Sequence, residues 1–222
     1  FTPDREVSVS ASGDGTLDSI QIGTKIDFTE GEWRPYMLDV PYILPTGGEM
    51  KTVYCRLMND FGMTSFIVSG QISPMAMNPA IRLDNGAEYS PDRSVTVNID
   101  ATGKINRMMI SNYADFHDSD WRGFRPESNF RLLTGPGEKA VFVRLMNDFE
   151  MVSEPISSII TPTPIRPSII LNNGDFQSSY RNIDMSLSAD GLIDSMQLSF
   201  QDDFSQSDWE QFTRRRKISL PT

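Results

Sequence analysis

Apolar and polar residues alternate with a period of two along most of this chain. Apolar side chains occupy every second position over residues 95–99 and again over 183–187. Because successive side chains of a strand point to opposite faces, this pattern predicts short, half-buried β-strands. Comparable apolar spacing predicts further strands at 105–110, 193–198, 140–145 and 152–160. No window of eleven or more residues carries the 3.6-residue stripe of an amphipathic helix.

The alternation is organised by an internal repeat. The hexapeptide Arg56–Phe61 recurs without change as Arg144–Phe149, 88 positions later. The three tryptophans, Trp33, Trp121 and Trp209, keep the same spacing without a gap. Self-similarity at one fixed period indicates a tandem array of structural units.

This register divides the chain into three units, residues 1–78, 79–166 and 167–222. We expect the middle unit to be complete. The first lacks the strand that Ala80–Leu83 and Ser168–Leu171 supply to the others, and the third lacks the last strands. Each unit is predicted to hold six to seven short strands in two packed sheets, so the fold class is all-β, with tandem immunoglobulin-like β-sandwich repeats.

The middle unit resembles the bacterial immunoglobulin-like, or fibronectin III-like, tandem repeats of secreted and cell-surface proteins. The matching segments are Ile81–Gly86, Val95–Val97, Met109–Asn112, Trp121 with Phe124, Gly135–Val143 and Arg144–Ser153. Glu150 stands where the family usually has glycine, which Gly62 keeps, so the type of this hairpin turn is an open question. The resemblance implies a structural stalk, adhesive or accessory domain and names no ligand, because sandwiches host many functions.

The composition of the chain limits the classes of partner that it can bind. The net charge of -10 argues against a nucleic-acid surface, since phosphates are bound by clustered lysine and arginine. No apolar run is long enough for membrane insertion. The single cysteine, Cys55, excludes an intrachain disulfide but does not fix the compartment. The chain begins at Phe1 rather than methionine, and we expect it to be the interior of a longer protein.

The residue inventory argues against an enzyme, and we expect no catalytic residue and no cofactor. His117 is the only histidine, so it has no second histidine or nearby cysteine for a metal cluster or a nucleophile–base pair. Calcium is the remaining inorganic candidate, because oxygen side chains surround a glycine turn in each unit. These turns carry Asp14 with Asp18, Asp100 with Asn106, and Asp190 with Asp194. Their spacing is not that of an EF-hand, so ordinary hairpin turns and no metal are the favoured interpretation.

Three further features have both a structural and a functional interpretation. The repeated Trp-x-x-aromatic pair is either a packing element of the sandwich or a platform for sugar rings, and its repetition favours packing. Cys55 occupies an apolar strand position and is predicted to be a buried, inert thiol. The basic run Arg214–Lys217 is favoured as a solvated edge strand over an anion-binding patch.

The sequence therefore favours a structural repeat protein in an extracellular filament, sheath or surface stalk. Its expected partners are neighbouring repeats or further copies of the chain, which could complete the open sandwiches by adding a strand. Two alternatives remain open: an adhesin or carbohydrate-binding module with a surface glycan or protein ligand, and a decoration or tail protein of a virus particle.

Overall fold

The structure, a computed structural model, describes residues 1–221 and is built almost entirely from short strands. Two three-residue 3-10 turns, Asp84–Gly86 and Asn172–Gly174, are the helical segments within this range, and neither is long enough to cross a membrane. The all-β class predicted from the alternation is confirmed. The chain forms immunoglobulin- or fibronectin III-like β-sandwich units.

The first repeat is a sandwich of a two-stranded sheet, β1-β4, and a four-stranded sheet, β3-β2-β5-β6. Its strands are β1 Glu6–Ser10, β2 Leu17–Gly23, β3 Trp33–Pro35, β4 Asp39–Ile43, β5 Lys51–Asn59 and β6 Val68–Ile72. In the antiparallel pair β2–β5, Ile20 lies opposite Leu57 and Ile22 opposite Cys55. These four side chains are buried because alternation turns them to the same face of the sheet.

The second repeat carries eight strands, more than the six to seven predicted. They are β7 Ala80–Leu83, β8 Tyr89–Ser90, β9 Ser94–Asp100, β10 Ile105–Ser111, β11 Arg122–Gly123, β12 Glu127–Arg131, β13 Lys139–Asn147 and β14 Ile156–Pro162. The additional elements, β8 and β11, are only two residues long and sit at sheet edges, in the orders β12-β9-β7 and β11-β10-β13-β14-β8. The strand predicted over 152–160 begins at Ile156, since Val152 forms only an isolated bridge with Met146.

The third repeat, as far as residue 221, holds five strands in the sheets β15-β16-β19 and β17-β18. They are β15 Ser168–Leu171, β16 Asn182–Ser188, β17 Ser195–Met196, β18 Glu210–Gln211 and β19 Arg215–Ser219. The strand predicted at 193–198 is reduced to β17, which among the described residues pairs with β18 alone, whereas its counterpart β10 pairs with β13 as well as with β11. The alternation over 183–187 does form a strand, β16.

Two compact units divide the described residues. The first comprises Phe1–Arg82, Val97–Ser128 and Ala140–Ser158, and the second comprises the remaining segments. The boundary passes through strands of the second repeat and does not coincide with the repeat boundaries after residues 78 and 166, which stay predictions.

Candidate functional site

One hairpin of the second repeat, at the end of β13, presents an aromatic side chain in an unusual way. Asn147 is buried, and its Oδ1 accepts hydrogen bonds from the backbone N–H groups of Phe149 and Met151, both at 3.0 Å. Glu150 adopts a left-handed backbone with φ 62°, as Gly62 does with φ 76° in the first repeat. The departure from the family pattern at Glu150 therefore leaves the turn conformation unchanged.

The Phe149 side chain lies inside the core of the first repeat. It is 0% exposed and belongs to the same buried cluster as Val40 and Leu44. Its carbonyl oxygen accepts a hydrogen bond of 2.8 Å from the N–H of Gly47. The matching residue of the first repeat, Phe61, is 83% exposed. The hairpin of one repeat therefore completes the core of the repeat before it.

Beside this aromatic anchor, Asp148 forms the polar half of the contact. Its Oδ2 accepts the backbone N–H of Arg5 at 3.1 Å, and its Oδ1 accepts the side-chain amide of Asn106 at 3.0 Å. Lys104 places its ammonium nitrogen 3.6 Å from the carboxylate. Burial alone would raise the pKa of Asp148, but these hydrogen bonds and the lysine charge outweigh it and hold the pKa below its usual value.

This lowered pKa predicts an acid-sensitive contact. A carboxylate whose pKa is lower in the folded state contributes stability that is present above its unfolded pKa of about 3.9 and is lost as the pH falls through the folded pKa. We expect Asp148→Asn to weaken the first unit at pH 7 and to flatten its stability profile between about pH 5 and pH 3. Denaturant titrations across this pH range measure both effects. Asp60→Asn, at the equivalent exposed position, should keep the wild-type profile, and an unchanged profile in Asp148→Asn would contradict the assignment.

A second segment of the second repeat, the turn between β9 and β10, also contacts the first repeat. The N–H of Thr102 donates to the carbonyl of Met77 at 2.6 Å, and its hydroxyl donates to the carbonyl of Ala76 at 2.5 Å. The N–H of Lys104 donates to the carbonyl of Pro3 at 2.9 Å. The turn between Asp100 and Asn106 that the sequence offered as a calcium candidate is thus part of the contact between repeats.

Gly103 is required in this turn for two reasons. Its φ is 83°, and a Cβ at this position would meet the carbonyl oxygen of Pro3 at 3.1 Å. Gly15 has a φ of 84° in the equivalent turn of the first repeat, but a Cβ added there would have no atom of the rest of the chain within 4 Å. We expect Gly15→Ala to cost about 1 kcal/mol for its backbone conformation alone, and Gly103→Ala about 2–3 kcal/mol. Denaturant unfolding measures the two losses of stability. Equal values would show that the close approach of position 103 to the carbonyl of Pro3 adds nothing to the cost of the substitution.

The same turn contact recurs in the second unit. Gly191 has a φ of 82°, and a Cβ added to it would lie 3.7 Å from the carbonyl oxygen of Pro91. The N–H of Leu192 donates to the same oxygen at 3.5 Å. Pro91 and Leu192 stand 88 residues after Pro3 and Lys104. A cavity of about 620 Å³ lies beside this contact, lined in part by Arg93, Leu132 and Gly135, the counterparts of Arg5, Leu44 and Gly47. We call the contacts that the turn at 102–104 and the hairpin at 147–151 make with the preceding repeat the joint. The turn part of the joint therefore recurs in the second unit.

In each repeat an arginine side chain forms a hydrogen bond between two segments that are distant in sequence. In all three repeats an arginine Nε donates to a leucine carbonyl 39 residues later: Arg5 to Leu44 at 2.6 Å, Arg93 to Leu132 at 2.8 Å, and Arg181 to Leu220 at 3.2 Å. This bond fixes the strand ends that surround the joint. In the first unit it holds Leu44 beside Phe149.

The packing interpretation of the Trp-x-x-aromatic pair holds in the first repeat for the second aromatic residue but not for the tryptophan, which is not a core residue. Trp33 is half-buried, and the Arg56 guanidinium lies 5.1 Å from its ring centroid and 4.8 Å from that of Phe28. Trp209 is 71% exposed. The aromatic that does pack against the core is Tyr36, three residues after Trp33, and its hydroxyl donates to the carbonyl of Ala11 at 3.0 Å.

The other predicted candidates lie apart from the joint. His117 sits on an exposed loop with its Nδ1 2.6 Å from Asp115 Oδ1. Cys55 is buried, and burial raises the pKa of its thiol. The basic run falls on β19, an edge strand of its sheet, as predicted.

In residues 1–221, which include the three turns considered for calcium, no group of three or more His, Cys, Asp or Glu side chains comes together to hold a metal ion. Asp100 pairs with Arg82 at 2.6 Å, Asn106 bonds Asp148, and the main-chain carbonyls of Asp18 and Asp194 accept backbone N–H groups. Asp14 lies on the exposed first turn, and Asp190 borders the cavity of the second unit. Sequence reasoning missed Asp148 and Phe149, because the identical hexapeptide Arg56–Phe61 carries the same local pattern without the contact.

Fold and site together define a tandem-repeat protein built from immunoglobulin- or fibronectin III-like sandwiches with a packed joint between repeats. No family model and no curated protein matches the sequence. Among solved structures, the fibronectin(III)-like modules of Clostridium thermocellum CbhA match with 12% identity and a TM-score of 0.31, over 72% of this chain and 86% of that one.

Two further solved structures are longer than this chain. The central fibronectin-III array of RIM-binding protein matches with 12% identity and a TM-score of 0.28. The match covers 83% of this chain and 66% of that one. A tetra-tandem repeat in the extending region of a large adhesion protein matches with 11% identity and a TM-score of 0.33. The match covers 99% of this chain and 62% of that one. At such values the assignment of fold rests on the sheets described above.

Proposed function

We propose that this chain is a segment of a structural repeat protein that forms part of an extracellular filament, sheath or surface stalk. The observation that carries the proposal is the Phe149 side chain, buried in the core of the preceding repeat. A linker alone would leave successive domains free to reorient, which is the usual behaviour of tandem modules. A shared apolar core instead resists bending and separation, as a rod under tension requires.

The polar contacts around Phe149 support the same role. Hydrogen bonds from Arg5, Gly47 and Lys104 N–H groups fix the hairpin and the neighbouring turn at several separate points. Contacts distributed in this way specify one orientation, whereas a single apolar anchor permits rotation about itself. The proposed partners are neighbouring repeats and further copies of the chain. Nucleic acid is not among them, given the net charge of -10.

A specific observation favours adhesion as the second candidate function. A binding unit is expected to expose aromatic residues that its sister units lack. In the third repeat Phe176, Tyr180 and Phe200 are exposed, and their counterparts in the second repeat are Glu88, Asp92 and Asn112. Flat aromatic faces exposed in this way suit stacking against sugar rings, which would make the third repeat a carbohydrate-binding module.

Electron microscopy of the native assembly tests the architectural proposal against this alternative. We expect continuous polymers with a repeat distance of one or two sandwiches. Isolated particles whose repeats take variable angles would contradict the proposal and direct attention to glycan binding. In that case, saturable quenching of tryptophan fluorescence by a glycan, lost in Phe176→Ser with Tyr180→Ser, would establish the adhesive function.

A further inference from the structure

The basic run of the third repeat lies on an exposed edge strand. Arg214, which precedes β19, and Arg215 and Lys217 within it are all exposed. Arg216 is half-buried and pairs with Glu210. We call the three exposed residues, Arg214, Arg215 and Lys217, the basic strand.

The charges of the basic strand are not neutralised by its neighbours. Lys217 lies opposite Asp184 on β16, whereas Arg215 lies opposite Ser186. Among residues 1–221, no carboxylate forms an ion pair with any member of the basic strand. Three positive charges are therefore available to a partner.

The fold does not require positive charge at this place. β19 is the counterpart of β4 and β12, and all three are edge strands of their sheets. Arg215 corresponds to Asp39 in the first repeat and to Glu127 in the second. Because the same strand forms with either sign of charge, the basic strand has a role other than packing.

The exposure of the basic strand is a property of its position in the repeat. Glu127 and Asn129 are exposed in the second repeat, which has a repeat before it and a repeat after it in the chain. Their counterparts in the third repeat are Arg215 and Lys217. The sheet β15-β16-β19 also has the strand order of the sheet β7-β9-β12. Neighbouring repeats therefore leave this face open to another molecule.

The first repeat carries the opposite charge on the equivalent face. Asp39 of β4 and Glu6 of β1 are both exposed, and the register of the two strands places them on the same side of the sheet. Ile43, opposite Glu6, is 67% exposed. We call the outer side of the β1-β4 sheet, with Glu6, Asp39 and Ile43, the acidic face.

The basic residues of the first repeat do little to offset this negative charge. Residues 1–78 contain ten acidic and five basic residues. Four of the five basic side chains already have partners within the repeat. These pairs are Lys25 with Glu30, Lys51 with Glu49, Arg5 with the Leu44 carbonyl, and Arg56 with Gln21.

We propose that the basic strand of one copy of this chain binds the acidic face of a second copy. With a net charge of -10, two copies repel each other except where the charge is locally reversed, as it is at the basic strand. Arginine suits this contact because its planar guanidinium can bind a carboxylate through two hydrogen bonds. The two surfaces are different, so the contact is head-to-tail and can continue from copy to copy.

This inference names the partner of the proposed architectural role and rests on that role. Sedimentation equilibrium of the full chain tests it. We expect the weight-average mass to rise with concentration above 25.0 kDa in about 0.02 M salt and to return to this value in about 0.5 M salt, since salt screens exposed charges. A wild type that is monomeric in both solutions overturns the proposal.

Two variants remove one surface each. Arg214→Glu with Arg215→Glu reverses the basic strand, and Glu6→Lys with Asp39→Lys reverses the acidic face. Each variant alone should associate at least about tenfold more weakly than the wild type. A 1:1 mixture should associate again and reach at least twice 25.0 kDa, because each variant keeps the surface that the other has lost. Misfolded variants could not recover in this way, and a mixture that stays monomeric overturns the pairing of these two surfaces.

Matched controls separate this contact from general effects of charge. Arg34→Glu with Arg125→Glu, and Glu127→Lys with Glu154→Lys, make the same charge changes at exposed positions elsewhere and should associate like the wild type. A basic strand that only kept the edge from pairing would tolerate glutamate, since either sign of charge protects an edge. Unchanged association of Arg214→Glu with Arg215→Glu therefore also overturns the proposal. The joint at Phe149, which is measured by unfolding, would be unaffected by any of these results.

Discussion

Phe149→Ala is expected to lower the free energy of unfolding of the first unit by about 3–5 kcal/mol, the usual cost of removing a buried phenylalanine. The loss exceeds that of an ordinary surface substitution because the ring is fully buried in the core of the preceding repeat. Denaturant unfolding measures the change. Limited proteolysis of residues 73–79, between the first two repeats, should accelerate at the same time.

Phe61→Ala is the matched control, because Phe61 occupies the same place in an identical hexapeptide. Its ring is exposed, so we expect a change within about 0.5 kcal/mol. A large effect of Phe61→Ala, or a small effect of Phe149→Ala, would show that the hairpin stabilises its own repeat rather than the joint.

Asn147→Ala is expected to cost about 2–4 kcal/mol, because it leaves two N–H groups at the joint without their side-chain acceptor. The Oδ1 of Asn147 accepts from Phe149 and Met151, and the side chain is buried. Water cannot easily replace the lost acceptor at a buried position. Denaturant unfolding measures the cost, and hydrogen exchange at the two amides reports whether the turn has opened.

The control for this substitution is Asn59→Ala. Asn59 accepts equivalent hydrogen bonds from Phe61 at 3.1 Å and Met63 at 2.9 Å, but in an exposed turn. Water can satisfy the freed groups there, so a cost of about 0.5–1 kcal/mol is expected. Equal costs for the two asparagines would remove burial as the reason for the effect at Asn147.

Much of the fold follows from alternation, because a half-buried strand requires it. The pattern over 95–99 and over 105–110 predicted β9 and β10, and both are present. Alternation fails where a strand depends on a partner. The pattern over 193–198 survives only as Ser195–Met196, because among the described residues β17 has no long partner like the one that β13 provides for β10.

The joint lay beyond sequence reasoning for a physical reason. Phe61 and Phe149 sit in identical hexapeptides, yet one ring is exposed and the other is buried. The difference arises from what each hairpin meets in space, which no local pattern contains. The repetition of the Trp-x-x-aromatic pair favoured packing. Tyr36 does pack against the core, but Trp33 is only half-buried and lies against the Arg56 side chain.

The joint links the Asn147–Phe149 turn to residues of the repeat before it, and the sequences of both half-sites recur with the same 88-residue spacing. Asp148 bonds Arg5, and Pro91 repeats the part that Pro3 plays. An in-frame duplication or deletion of one whole repeat would therefore regenerate matched half-sites without any further mutation. A change in length that is not a multiple of the period would instead set two mismatched surfaces against each other. Recombination in the gene is thus expected to vary this protein in whole-repeat steps, and related alleles should differ in repeat number more readily than in repeat length.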